Sequence, residues 1–230
     1  MAKISPPAPT ASVVQVADFI EKWLRSNSRI FHNEMELQLY LALHLNTDPA
    51  FLRLGYEVYL EYPVPASVTK RGNMDVDIVL HHKATDKYIL LELKYKTLSA
   101  GSPMHYPFGG TVAVPLLSNH QATGKCRYQY WWDVHRIEFL QSMFPKIEGG
   151  IALYMTNDTE YQNPPTSRSG WAAYTMHDGA IVGPGMLSWA PSCTYLPTAY
   201  PAFSLSNAYK VAWRHITMGT IPFHYCMELI

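Results

Sequence analysis

The sequence predicts an α/β fold, more broadly α+β, in which helices flank a central mixed β-sheet. Apolar residues first recur at three- and four-residue steps, as they do on one face of a helix. Further along the chain they alternate with polar residues, as they do in strands. The predicted order of helices, three strands, a helix and another strand is typical of a sheet covered by helices.

Two helices are predicted before the first strand. The first covers residues 12–26, and its apolar face is formed by Val13, Val16, Ala17, Ile20 and Leu24. The second covers Glu34 to Leu45. Asn33 is a suitable N-cap for it, and Glu36 at the third helical position gives a weaker form of the capping box.

Three strands follow in close succession. Tyr56 to Tyr62 has the period of a strand and is closed by prolines. Met74 to Leu80 and Tyr88 to Lys96 are the next two, and the polar segment 81–87 between them suits a hairpin turn. Tyr88 to Lys96 is apolar on both faces, which indicates a central strand.

The second half of the chain gives weaker signals. Residues 99–124 are predicted to form a long loop, and such loops in compact domains are usually functional or mobile. A helix is predicted over Cys126 to Phe144, a strand over Ile151 to Met155 and a last strand over Phe223 to Ile230. We expect one domain over residues 12–230, after a flexible N-terminal tail over residues 1–11.

Composition narrows the function classes. The formal net charge is zero, which disfavours a general DNA-coating role but allows an enzyme with a local basic cleft. Three widely spaced cysteines argue against a secreted disulfide scaffold. The sequence contains neither a signal-peptide pattern nor an apolar run of membrane-spanning length, so we expect a cytoplasmic protein with no membrane contact.

One constellation of residues indicates chemistry. Asp77 lies on the second predicted strand, while Glu92 and Lys94 lie on the next and share a face of it. If the hairpin brings both acids together, they form the kind of oxygen site that Mg²⁺ prefers. The ion would activate a water. Lys94 could then orient that water or balance charge in the transition state.

Alternatives to these positions exist in the sequence. Asp75 has the same strand parity as Asp77 and could replace it as a ligand. Glu36 could replace Glu34 if the helix register differs. A Glu-x-Lys tripeptide is also common as plain solvated charge. Against that interpretation, a charge on a strand that is apolar on both sides needs a partner or a metal.

These residues resemble the PD-(D/E)xK phosphodiesterase superfamily, in which an acid on one strand precedes (D/E)-x-K on the next. Further segments are similar to motifs of an uncharacterised bacterial group of that superfamily, namely residues 33–38, 60–63, 91–96, 130–140, 155–158 and 209–213. Three positions depart from the pattern: no proline precedes Asp77, the helix cap is Asn33 in place of serine, and Val211 replaces a leucine.

The resemblance implies a restriction-endonuclease-like core and a nuclease that hydrolyses DNA with Mg²⁺ or Mn²⁺. It implies that Asp77 and Glu92 bind the metal, that Lys94 assists the attacking water and that Glu34 supports the site. Three further residues are expected to bind substrate, namely Gln38, Lys96 and Arg136. Arg136 could instead pair with Asp133 or Glu138. The setting would be restriction, repair or defence, and a homodimer is compatible with the sequence.

Two other functions are open at this stage. A catalytically inactive member of the same fold could serve as a nucleic-acid or protein-binding module, because a fold alone does not guarantee an activity. A structural or interaction protein would suit the neutral charge and the Tyr- and Trp-rich second half. The complete set of Asp77, Glu92 and Lys94 favours the enzyme.

Overall fold

A computed structural model of the chain describes residues 8–65, 74–99, 101–120 and 122–230. It contains a six-stranded sheet with helices on both faces. The helices are α1 (Ala11–Ser26), α2 (Glu34–Thr47), α3 (Pro49–Leu52), α4 (Thr123–Met143) and α5 (Leu196–Ala199). The strands are β1 (Tyr56–Val64), β2 (Met74–His82), β3 (Lys87–Lys96), β4 (Met104–His105), β5 (Val114–Pro115), β6 (Ile147–Thr156), β7 (Ile181–Val182), β8 (Gly185–Leu187), β9 (Phe203–Leu205), β10 (Tyr209–Lys210), β11 (Arg214–Met218) and β12 (Ile221–Leu229).

The central sheet is mixed, as predicted, with strand order β1-β2-β3-β6-β12-β11. Neighbouring strands are antiparallel except β3 and β6, which run parallel and are joined through α4. A parallel pair needs such a crossover, because the chain must return to the same end of the sheet. This connection lays α4 across β3 and β6.

Each face of the sheet buries its own apolar core. On one face, α1 and α2 pack against alternate residues of β3 that include Ile89, Leu91 and Leu93. On the other face, α4 packs with β6 and with the aromatic residues of the irregular region after β6. The predicted alternation of β3 is therefore confirmed, and Leu90 lies on the α4 face with Glu92 and Lys94 following it at two-residue steps.

The approach of α4 to the sheet depends on Gly150. A Cβ atom at this position would lie 2.6 Å from the Leu90 carbonyl oxygen and 2.7 Å from the Ile137 Cγ2 atom of α4. Such distances lie far inside ordinary van der Waals contact, so a larger residue would push the helix away from the strand. The glycine thus allows α4 to place its polar side chains against β3.

Most predicted elements are confirmed, with shifted ends. The N-cap is correct, since the Asn33 side chain accepts a hydrogen bond from the Glu36 backbone. β1 continues through Pro63, which an edge strand tolerates because its outer side needs no hydrogen-bond donor. β6 starts earlier than predicted, at Ile147, and the strand Arg214–Met218 was not predicted.

The structure also bears on the predicted N-terminal tail, on the long loop and on membrane-spanning helices. Ala11, assigned to the flexible tail, begins α1, and residues 1–7 of that tail lie outside the described residues. The predicted loop over residues 99–124 contains the short strands β4 and β5. Of the helices in the described ranges, none is long and apolar enough to cross a membrane.

Candidate functional site

Seven charged side chains meet near one end of β3, on the side where α4 crosses the sheet. We call them the polar cluster: Glu34 from α2, Asp77 from β2, Glu92, Lys94 and Lys96 from β3, and Asp133 and Arg136 from α4. Sequence reasoning named six of these seven as site residues. The structure brings those six together and adds Asp133.

Asp77 lies where the regular pairing between β2 and β3 ends. The last paired residues are Ile78 and Leu91, and beyond them the Asp77 Oδ2 atom accepts a hydrogen bond of 2.6 Å from the Leu93 backbone. Burial raises the pKa of Asp77 from 3.8 to about 6, against the opposing effects of Lys94 and of the Leu93 amide. The carboxyl group therefore keeps its proton to a higher pH than an exposed aspartate does.

Strict strand alternation breaks in β2 at this position. Val76 packs with Val79 in the α4 core, although strict alternation would place them on opposite faces. The reason is a local distortion of the pairing with β1, where Glu61 has a positive φ of 46° and does not pair with Asp77. The distortion leaves the Asp77 carbonyl oxygen available to a side-chain donor.

That donor is Gln38. Its Nε2 atom donates to the Asp77 carbonyl oxygen at 2.6 Å and to the Glu61 carboxylate at 2.7 Å. Gln38 is buried, and both amide hydrogens are accounted for by these two bonds. In the structure Gln38 therefore positions Asp77, while direct contact of Gln38 with a substrate stays a prediction.

Glu92 is the most unusual residue of the cluster. Its side chain is 1% exposed, yet neither carboxylate oxygen has a hydrogen-bond partner. The Arg136 Nη2 atom lies 3.2 Å from Oε1 but is not aligned for a hydrogen bond. Burial and then the Asp133 charge raise the pKa of Glu92 well above its ordinary value, and Arg136 opposes them. A buried carboxylate without partners is costly unless something else binds it.

Lys94 is held between carboxylates. Its Nζ atom lies 2.9 Å from Asp133 Oδ2 and 3.6 Å from Glu34 Oε1, and it donates to the Leu93 carbonyl oxygen at 3.0 Å. Burial acts to lower the pKa of Lys94, but Asp133 and Glu34 outweigh it and raise the pKa above its ordinary value. Lys94 is therefore a fixed cation at neutral pH and is not suited to act as a general base.

Glu34 links the start of α2 to the end of β3. Its Oε2 atom accepts from the Tyr95 backbone at 2.9 Å and from Lys96 Nζ at 3.2 Å. Burial acts to raise the pKa of Glu34, but Lys94, Lys96 and the Tyr95 amide together hold it below its ordinary value. Glu34 therefore stays ionised and keeps both lysines directed into the cluster.

Asp133 and Arg136 supply the part of the cluster that comes from α4. They are three residues apart on the same helix face, with Arg136 Nη1 3.5 Å from Asp133 Oδ1. Arg136 also donates to the Asp75 carbonyl oxygen. Of its two predicted partners, the structure shows Asp133 and not Glu138. A signal for Asp133 was present in the sequence, namely a charged pair inside an otherwise apolar and aromatic helix face.

Two alternative positions are placed elsewhere. The Asp75 side chain is exposed, and only its backbone contacts the cluster. Glu36 accepts from Arg29 at 2.5 Å and from the His32 backbone at 2.7 Å. These contacts tie it to the turn before α2. Asp77 and Glu34 are thus the better choices on geometry.

An apolar cavity of about 490 Å³ lies beside the polar cluster on the α4 face. Its lining includes Tyr62, Val79, Tyr88, Leu90, Leu140 and Phe144. Leu90 lies two residues before Glu92, so the two sites share a wall. The cavity offers almost no polar atoms, and we therefore assign the candidate chemistry to the polar cluster.

The carboxylates of the cluster are the residues that could hold a divalent cation. In the described ranges, no group of three or more His, Cys, Asp or Glu side chains is arranged to hold a metal ion. Mg²⁺ commonly uses one or two carboxylates and completes its shell with waters and substrate phosphate oxygens. The two partnerless oxygens of buried Glu92, beside Asp77, fit such a site.

Comparison with known proteins adds no assignment. Neither a protein family, nor a curated protein sequence, nor a solved structure matches this chain.

Proposed function

We propose that the chain is a metal-dependent phosphodiesterase, a nuclease that hydrolyses DNA with Mg²⁺ or Mn²⁺. The observation that carries the proposal is Glu92, a carboxylate that is almost fully buried and whose two oxygens lack hydrogen-bond partners. Its neighbours Asp77 and Lys94 complete the acid, acid and lysine set that the sequence resemblance implies. A restriction-endonuclease-like core belongs to the same proposal.

A divalent ion at Asp77 and Glu92 would polarise the phosphoryl group and lower the pKa of a bound water. This chain's own residues prepare the site for it. Gln38 and the Leu93 amide fix Asp77 from two sides, at its carbonyl oxygen and at its carboxylate. Such preorganisation reduces the reorganisation needed when the reacting groups bind.

Lys94 supplies positive charge where negative charge develops on the phosphoryl oxygens. Asp133 and Glu34 hold its ammonium group from two directions and keep it protonated. A protonated lysine can donate to the attacking water or to a phosphate oxygen, which stabilises the transition state by charge. Asp133 is therefore a positioning residue that acts through Lys94.

Arg136 serves as an internal counter-charge for Glu92. It lies 3.2 Å from Glu92 and is 16% exposed, so one end of the guanidinium reaches the cluster rim. A cation bound by Glu92 would compete with this ion pair. Once displaced, Arg136 could bind a substrate phosphate in two-point fashion, as guanidinium groups do. Lys96, paired with Glu34, is the second proposed phosphate contact.

A second candidate function is supported by the same ion pairs. Lys94 and Arg136 both already contact carboxylates, so the three cations of the cluster offset most of the charge of its four acids without a metal. That arrangement also suits a catalytically inactive module that binds nucleic acid or protein. The two candidates differ in whether Glu92 takes up a divalent ion.

Cleavage of DNA separates the two candidates. Purified protein is incubated with supercoiled plasmid and with single-stranded DNA, in Mg²⁺, in Mn²⁺ and in a chelator. Lys94→Ala and Glu92→Gln are compared with Lys87→Ala, a matched control at the half-buried opposite end of the same strand. We expect metal-dependent cutting that falls by about a thousandfold in the first two variants and stays unchanged in the control.

Two results would contradict the proposal. Cutting that persists in both Lys94→Ala and Glu92→Gln would assign the activity to a different site or to a contaminant. DNA binding by folded protein with no cutting under any of these metals would instead support the inactive binding module.

A further inference from the structure

The loop after β3 is clamped at its base beside the polar cluster. The His120 backbone donates to the Thr97 carbonyl oxygen at 2.8 Å, and the Thr97 backbone donates back to the His120 ring at 3.0 Å. Asn157, after β6, pairs with the Leu98 backbone through both its amide oxygen and its amide nitrogen. Thr97 directly follows Lys96. The described loop, residues 101–120, therefore rises from a rigid base next to the cluster.

The loop also contacts the start of α2. The His105 ring packs edge-on against the His32 ring, with centroids 5.9 Å apart. His32 precedes Glu34 by two residues. The loop thus lies against the same helix end that contributes Glu34 to the polar cluster.

The tip of this loop exposes large apolar side chains. The exposed residues are Met104, Tyr106, Phe108 and Val112. Phe108 is 108% exposed, so its ring has no significant contact with the rest of the described chain. Its φ of 55° lies in the left-handed region, which is uncommon for a bulky residue. An aromatic ring exposed in this way is unfavourable in water unless a binding partner covers it.

The charged residues of this region limit the chemical class of partner that the loop could bind. No Asp or Glu occurs between Glu92 and Asp133. The basic residues of this stretch that are not fully buried are Lys94, Lys96 and Lys125. An acid-free segment with aromatic rings at its tip suits a polyanion that also offers flat apolar surfaces. Single-stranded nucleic acid has this combination, because its phosphates carry the charge and every base has a face on which a ring can stack.

We infer that the loop over residues 101–120 is a base-stacking element, on which Phe108 and Tyr106 hold unpaired bases of a nucleic-acid strand whose backbone reaches the polar cluster. This inference rests on the proposed function and names its substrate class, which is DNA with unstacked bases. The loop adds affinity by stacking and directs the strand, while the polar cluster contacts phosphate.

The test measures binding with cleavage switched off. Fluorescence anisotropy in a metal chelator follows a labelled single-stranded oligonucleotide and a matched oligonucleotide that carries abasic sites. The variants are Phe108→Ala, Phe108→Leu and Phe108→Trp. Ile181→Ala is the control, because Ile181 is an exposed apolar residue on β7, outside the loop.

We expect Phe108→Ala and Phe108→Leu to weaken binding of the normal strand by about fivefold or more, the effect of one lost stacked base. Phe108→Trp should bind at least as tightly as the wild type, and Ile181→Ala should bind like it. Against the abasic strand, the wild type and Phe108→Ala should bind alike. Thermal melting of each variant checks the fold.

Several results would overturn the inference. Equal affinity of wild type and Phe108→Ala for the normal strand would overturn it. An equal loss of affinity in Phe108→Ala for the normal and the abasic oligonucleotide would also overturn it. If Phe108→Leu bound the normal strand as tightly as the wild type, the contact would be a general apolar one and not base stacking. Binding of anionic phospholipid vesicles that depends on Phe108, without dependence for DNA, would assign the loop to a membrane surface. If the protein cleaves DNA but wild type and Phe108→Ala bind the normal strand equally, only the role of the loop is wrong. If binding depends on Phe108 but the protein does not cleave DNA, the proposed nuclease reaction is wrong.

Discussion

Two buried glutamates on the α4 face of the sheet have opposite surroundings. Glu138, on α4, accepts four hydrogen bonds, from the Ser206 and Asn207 backbones, the Asn207 side chain and the Tyr209 hydroxyl. Glu92, on β3, accepts none and has one unaligned ion pair. Burial alone therefore does not mark a functional acid, since a buried carboxylate with a full set of donors is a structural clamp.

The difference assigns separate roles to the two regions. The Glu138 clamp fastens the irregular segment around β9 and β10 to the helix, where few regular hydrogen bonds hold the chain. The polar cluster around Glu92 keeps unsatisfied binding capacity instead. Functional sites often retain such unfavourable groups, which the rest of the fold must support.

The largest expected contrast is in stability. Glu138→Ala should lower the free energy of unfolding by about 3 kcal/mol or more, because it leaves buried donors without an acceptor. Glu92→Gln should leave it unchanged or raise it, since an amide replaces a poorly solvated acid. Urea denaturation of both variants at mildly alkaline pH measures the difference. Similar losses in both variants would mean that Glu92 is as structural as Glu138.

The pH dependence of stability sharpens the contrast. Burial raises the pKa of Asp77 from 3.8 to about 6, so between these values the folded protein retains a proton that the unfolded chain has lost. The free energy of unfolding should therefore fall as pH rises through this window. Burial also raises the pKa of Glu228, to about 8, and the same argument applies up to that pH.

The measurement compares denaturation of wild type and Asp77→Asn across this range. The Glu228 contribution is common to both proteins and cancels, so the difference reports Asp77 together with its charge interaction with Glu92. We expect the wild type to lose stability relative to the variant between pH 3.8 and about 6. If the free energies of unfolding of the two proteins changed in parallel with pH, burial would not raise the pKa of Asp77.

A smaller effect tests the ion pair at Glu92. Arg136→Gln removes the internal cation, so Mn²⁺ should bind about tenfold more tightly, while Arg136→Lys should resemble the wild type. Isothermal titration calorimetry at mildly alkaline pH limits competition from protons on Glu92. Weaker or unchanged binding by Arg136→Gln would show that the guanidinium supports the site and does not compete for it.

The sequence predicted the strand residues of the cluster because strand periodicity relates side-chain direction to residue number. Glu92 and Lys94 follow this rule, and Asp77 lies in the cluster although β2 breaks its alternation there. Asp133 could not be assigned from periodicity, because its place depends on how closely α4 crosses β3 and β6 at Gly150. The structure of the region after β6 could not be predicted from the sequence either. Hydrogen bonds to Glu138 and packed aromatic rings hold this region together, and it has little regular secondary structure.

The most direct test of the central claim is anomalous diffraction from a crystal soaked in Mn²⁺. We expect a peak bound by the Asp77 and Glu92 carboxylates, with the Arg136 guanidinium moved away from Glu92. A Mn²⁺ ion found only elsewhere, or a Glu92 that still contacts Arg136 alone at saturating Mn²⁺, would contradict it.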